Sequence, residues 1–102
     1  MTWFIKTERF TSETLSLSPE IRQQYISKHR SWVINLNNSG VKVVSGYLVN
    51  SKGLPGRGGL LIIEASSFNE AKYLIKKDPI ILANLVEWEL HEWRKVCGEL
   101  NL

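Results

Sequence analysis

The sequence predicts an α+β domain in which two helices cover one face of a four-stranded antiparallel sheet. Two observations carry this. Runs rich in β-branched, aromatic and aliphatic residues occur four times, at Thr2–Phe10, Val41–Asn50, Gly59–Ala65 and Leu85–Trp93. Two helix starts, at Ser18-Pro19-Glu20 and at Ser67 with Glu70, follow the first and third runs. The order β-α-β-β-α-β is the ferredoxin-like split βαβ arrangement.

The first strand alternates, and the polar stretch Thr11–Ser18 reads as a loop. Ser18 is suited to cap the first helix, Pro19 sits where its missing N–H costs nothing, and Glu20 complements the helix dipole. This helix is expected to run to about Asn37, with Gly40 beyond its end. At about 100° per residue, Tyr25, His29, Trp32, Val33 and Leu36 fall within roughly 120° of Ile21 and form one stripe expected to be buried. Arg22, Gln23, Lys28 and Arg30 are read as lying largely off it.

The second strand contains Gly46. The Gly- and Pro-dense stretch from Ser51 to Gly58 reads as a mobile hairpin loop. The short apolar third strand is expected to be central. Ser67 and Glu70 form a capping box that opens the second helix, with Ala71, Leu74 and Ile75 inward. Asp78-Pro79 ends that helix, because the residue before proline disfavours helical backbone, and a short turn follows. In the last strand Val86, Trp88 and Leu90 share one face, and Glu87, Glu89, His91 and Trp93 share the other. The sheet face away from the helices would be apolar in strands two and three, and pairing with a second copy would cover it.

The chain has 102 residues, 43% of them hydrophobic and 23% charged. That is one domain, 1–102, with a composition that excludes disorder. The net charge is +3, and the 13 Lys and Arg are dispersed, which speaks against a nucleic-acid partner. The third strand also lacks the exposed aromatics on which RNA-binding sheets stack bases. No run of about 18 apolar residues exists to cross a membrane. The N-terminus shows no secretory pattern, and the single Cys97 fits a reducing, cytoplasmic compartment.

Few residues are suited to carry chemistry. His29 is either a half-buried space-filler or a general base, since imidazole titrates near neutrality. Asp78 is suited to cap a turn starting at Pro79, and its second oxygen would be free to orient a histidine. Glu87, Glu89 and His91 are potential metal ligands at period two, but a polar rim accounts for them equally, and no metal is assigned. Arg57 in the hairpin is a plausible arm for an anion, although the loop lacks the P-loop pattern. Trp3 and Trp93 are candidates to line a pocket for a ring-shaped ligand.

Several segments together resemble the YCII-related (YciI-like) domains. They are Trp3–Thr7, His29, Ser45-Gly46-Tyr47, Pro55-Gly56-Arg57-Gly58-Gly59, Glu70-Ala71 leading to Asp78-Pro79, and Glu89-Leu90-His91-Glu92-Trp93. The resemblance implies a dimeric α/β barrel, two protomers packed through their open sheet faces. It also implies small-molecule chemistry without a cofactor, by proton abstraction or elimination on a cyclic or aromatic compound. His29 and Asp78 match the family's His–Asp pair, and Ser45, Arg57, Trp3 and Trp93 are the expected substrate contacts. Many members carry an Asp near the end of the first strand, where this chain has Thr7-Glu8-Arg9. If relatives need that Asp for activity, either its role is lost here or Glu8 replaces it. The competing reading is a non-catalytic dimeric module that binds a ligand or a protein, with His29 merely buried.

Overall fold

β1 (Thr2–Phe10) and β3 (Pro55–Ala65) form the middle of a four-stranded antiparallel sheet, with β2 (Val43–Val49) and β4 (Val86–Trp93) at its edges. The structure, a computed structural model, describes residues 1–99 apart from the side chain of Arg57. The strand order β2-β3-β1-β4 is that of a ferredoxin-like sheet. The long helix α2 (Pro19–Asn38) joins β1 to β2, and α3 (Phe68–Ile75) lies between β3 and β4. Two single-turn helices complete the chain, α1 (Ser12–Leu15) and α4 (Pro79–Leu82).

The register shows which residues share a face. Lys6 on β1 pairs with Leu61 on β3 and Leu90 on β4, and Leu61 pairs in turn with Ser45 on β2. Phe4, Val43, Leu61, Ile63 and Ala65 from this face join Ala71 and Ile75 of α3 in the buried core. Trp32, Val33 and Leu36 of α2 pack against the same cluster, so α2 and α3 cover one side of the sheet. The other face carries Ile5, Val44, Leu48, Leu60 and Ile62, with Trp3 and Trp93 opposite one another.

The caps follow the sequence. The Ser18 hydroxyl accepts from Ile21 N, and the Ser67 hydroxyl accepts from Glu70 N. Gly40 just beyond α2 has φ +97°, the left-handed backbone that favours glycine there.

Three expectations need correction. The polar stretch after β1 is not all loop, because Thr11 caps α1 through a bond from Thr14 N. β3 starts at Pro55, not Gly59, so much of the Gly-rich stretch is strand. Proline is compatible with the first position of a strand. On α2, Ile21 is 42% exposed, whereas Arg22 is half-buried. Arg22 lies about 100° from Ile21 and therefore inside the buried sector.

Gly58 and Gly59 allow β3 to approach its neighbours closely. A Cβ on Gly58 would lie 1.9 Å from the Glu8 carbonyl oxygen, and one on Gly59 would lie 2.6 Å from that of Gly46. A Cβ on Gly46 itself meets nothing within 4 Å. Gly58→Ala should therefore cost at least the upper end of the usual overpacking penalty, about 3 kcal/mol. Gly46→Ala should stay within about 0.5 kcal/mol of wild type. Urea unfolding of the two variants checks this, and equal midpoints would contradict it.

Candidate functional site

The inward face of β1 reads Phe4, Lys6, Glu8, and this places an ammonium where an apolar side chain would be usual. Lys6 is 0% exposed. A buried ammonium needs charged partners and hydrogen bonds to be tolerated. Its Nζ lies 2.6 Å from Glu8 Oε1 and donates to Asp78 Oδ2 at 3.1 Å.

Asp78, also 0% exposed, sits at the start of α4. Its Oδ1 accepts from Ile80 N at 3.1 Å, the expected cap. His29 approaches from α2, with Nδ1 2.9 Å from Asp78 Oδ1 and 3.0 Å from Oδ2. One carboxylate thus caps a turn and holds a histidine. On the far side of the ring, Nε2 lies 2.8 Å from Ser45 Oγ. With Asp78 ionised, Nδ1 carries the proton and donates to it, which leaves the Nε2 lone pair to accept from the Ser45 hydroxyl.

Lys6 and Ser45 flank Leu61 in one row across the sheet, about 10 Å apart from the strand spacing. His29 and Asp78 close that gap from above. The line Glu8–Lys6–Asp78–His29–Ser45 therefore joins β1, α4, α2 and β2.

The line ends in a cleft of about 420 Å³. Its walls include Phe10, Leu15, Tyr25, Ile26, Ile80 and Leu85, with Gly56, Gly58 and Gly59 from β3. The polar groups facing it include Glu8, Arg22, His29 and Ser45. A mostly apolar hollow with a few convergent polar groups is the usual form of a small-molecule site. The Trp32 ring lies 5.8 Å from that of His29, tilted by 38°.

Burial pushes the Asp78 carboxyl up, but hydrogen bonding to His29 and the charge of Lys6 outweigh it and hold the group below its usual range. The imidazole faces the cleft and is backed by a carboxylate, an arrangement able to take up and return a proton.

Of the candidates from sequence, the structure brings together His29, Asp78 and Ser45, with Glu8 one link away. It does not bring Trp3 and Trp93 to the cleft. They pair across β1 and β4 on the opposite sheet face, because odd-numbered β1 residues point away from the helices. The side chain of Arg57 lies outside the described residues. Lys6 and Arg22 were missed by the sequence reading. The period-two alternation of β1 puts Lys6 inward with Phe4, and the helical angle of Arg22 puts it beside His29. Among the described residues, no three His, Cys, Asp or Glu groups converge to hold a metal ion. No helix there is long and apolar enough to cross a membrane.

Residues 2–94 match the YCII-related domain family. No curated protein sequence matches the chain. Among solved structures the fold is similar to 5-chloro-2-hydroxyhydroquinone dehydrochlorinase (TftG) from Burkholderia phenoliruptrix AC1100, in complex with 2,5-dihydroxybenzoquinone. The identity is 20% and the TM-score 0.66, over 90% of this chain and 93% of that one. At3g17210 from Arabidopsis thaliana is similar at 16% identity and TM-score 0.56, over 98% of this chain and all of that one. The de novo designed protein Ferredog-Diesel is similar at 14% identity and TM-score 0.57, covering 89% and 84% of the two chains.

Because Asp78 is held below its usual range, its contribution to stability is fully present above the unfolded value of about 4 and is lost as pH falls through the lower folded value. Lys6→Met removes the ammonium shared by Glu8 and Asp78, leaving Asp78 only its bonds to His29 and Ile80, and should cost about 3–5 kcal/mol at neutral pH. That deficit should shrink as the pH falls from about 4 toward the lower folded value of Asp78, through which its carboxyl becomes neutral. Urea titrations of both proteins at stepped pH measure it, and a pH-independent deficit would refute the pairing.

Proposed function

The chain belongs to the YCII-related domain family, and from that premise we propose that it is an enzyme acting on a small cyclic or aromatic compound. The observation that carries this is His29, held between Asp78 and Ser45 at the wall of a ring-sized cleft. His29 Nε2 takes a proton from a carbon or hydroxyl of the substrate. The electrons of the broken bond form a new double bond in the ring system, and a leaving group departs with its own bonding pair. Asp78 fixes the tautomer and stabilises the imidazolium, as the carboxylate does in a Ser-His-Asp triad. Ser45 occupies the place where a substrate hydroxyl would meet Nε2, and its own hydroxyl can pass the proton on.

The dehydrochlorinase TftG, a fold neighbour in complex with a dihydroxybenzoquinone, supports a hydroxylated ring as substrate and elimination as the reaction. The apolar walls support it independently. Lys6 and Glu8 act at one remove as positioning residues, since Lys6 holds the Asp78 oxygen that His29 does not orient alone.

We also read the protein as a homodimer. Val44 and Leu48, on the sheet face away from the helices, are 43% and 56% exposed. Ile5, Leu60 and Ile62 extend that apolar surface, which a second copy would cover.

Chloride release from 5-chloro-2-hydroxyhydroquinone, and solvent deuterium exchange into a panel of hydroxylated rings, should reveal turnover. His29→Asn should lower it by about 10²–10⁴-fold, with the fold retained. Ser45→Ala should lower it less than His29→Asn, because Ser45 assists and does not attack. Equal loss in the two variants would point to a serine nucleophile. Undiminished turnover in His29→Asn, or none in wild type across the panel, would favour a non-catalytic ligand-binding module.

A further inference from the structure

Arg22 is the fourth residue of α2, half-buried and facing the cleft. Its Nε is buried and has no hydrogen-bond partner. Buried polar atoms in folded proteins are nearly always satisfied, so an unpaired donor in a guanidinium that lines a cleft calls for an acceptor. The other charged groups at the cleft are already matched. Glu8 is paired with Lys6, and His29 with Asp78. Among the described residues, Arg22 makes no ion pair within 4.0 Å. Around it the wall is apolar, from Phe10, Leu15 and Ile26, and an apolar wall strengthens the pull of a fixed charge on an anion.

We propose that Arg22 is the anion-recognition residue of the cleft, and that the compound bound there is a ring carrying a carboxylate. The planar guanidinium fork matches a carboxylate with two parallel bonds, which a phenol hydroxyl or a halogen does not offer. Arg22 and His29 lie seven residues apart on one helix face, about 10 Å along the axis. The bound molecule therefore has its acid group toward the start of α2 and its reacting edge under His29 and Ser45. Arg22 binds and orients, and takes no part in proton transfer. The inference deepens the enzymatic reading of the same cleft and names its substrate class.

The test uses the full chain and two probes of equal shape, 4-hydroxybenzoate and the neutral 4-hydroxybenzamide, titrated calorimetrically at low salt. Wild type should bind the acid at least about tenfold more tightly than the amide. Arg22→Gln should bring the two within about twofold of each other, and His29→Asn should leave the preference in place. Arg22→Lys keeps the charge without the fork, and should lose part of the preference even if the Gln variant does not fold. No preference in wild type, no binding of either probe, or a preference kept in Arg22→Gln or undiminished in Arg22→Lys overturns the proposal. The outcomes separate from those of the enzymatic reading. An acid preference together with His29-independent turnover would sink only the dyad. His29-dependent turnover without an acid preference would sink only Arg22.

Discussion

The Asp78 carboxylate is the point on which the rest of the site depends. It accepts from the Ile80 amide, from the Lys6 ammonium and from the His29 ring. Those three donors belong to α4, β1 and α2. Such a group is buried only at the cost of its hydration, and each donor replaces part of that shell. The same bonds fix where α2 lies over the sheet. Apart from Trp32, Val33 and Leu36, this helix brings little apolar surface to the core, so polar contacts carry an unusual share of its docking.

The network also balances charge. Lys6, Glu8 and Asp78 together leave one negative charge beside the His29 ring. Protonation of His29 brings the buried set to neutrality. A positive charge placed on His29 would therefore meet carboxylates already arranged around it.

The fold was legible because its signals are local and redundant. Strands, caps and the Asp78-Pro79 break each depend on a few neighbouring residues. Ser18 and Ser67 cap their helices as their hydroxyls suggest. Part of the site was legible for a different reason, since His29, Ser45 and Asp78 sit in segments that resemble one family. Lys6 was not, because composition marks lysine as a surface residue and only the facing of β1 shows otherwise. Arg22 is likewise a charged residue at an inward angle, about 100° from Ile21, where an apolar one would be usual. Trp3 and Trp93 show the reverse error. Aromatic character suggested a pocket, but strand parity puts both on the other face. The extent of β3 was hidden because glycine and proline, which usually mark turns, here serve close strand approach.

That close approach bears on how the cleft could change over evolution. Its sheet-side wall is built partly from Gly58 and Gly59, where even a methyl group would collide with the backbone of a neighbouring strand. This wall is closed to gradual variation. The opposite wall, with Arg22, Tyr25 and Ile26 on one helix, is made of side chains and not of closely approaching strand backbone. Relatives that share this floor would diverge in what they accept through the helix, and a comparison of specificities should read α2 before it reads the sheet.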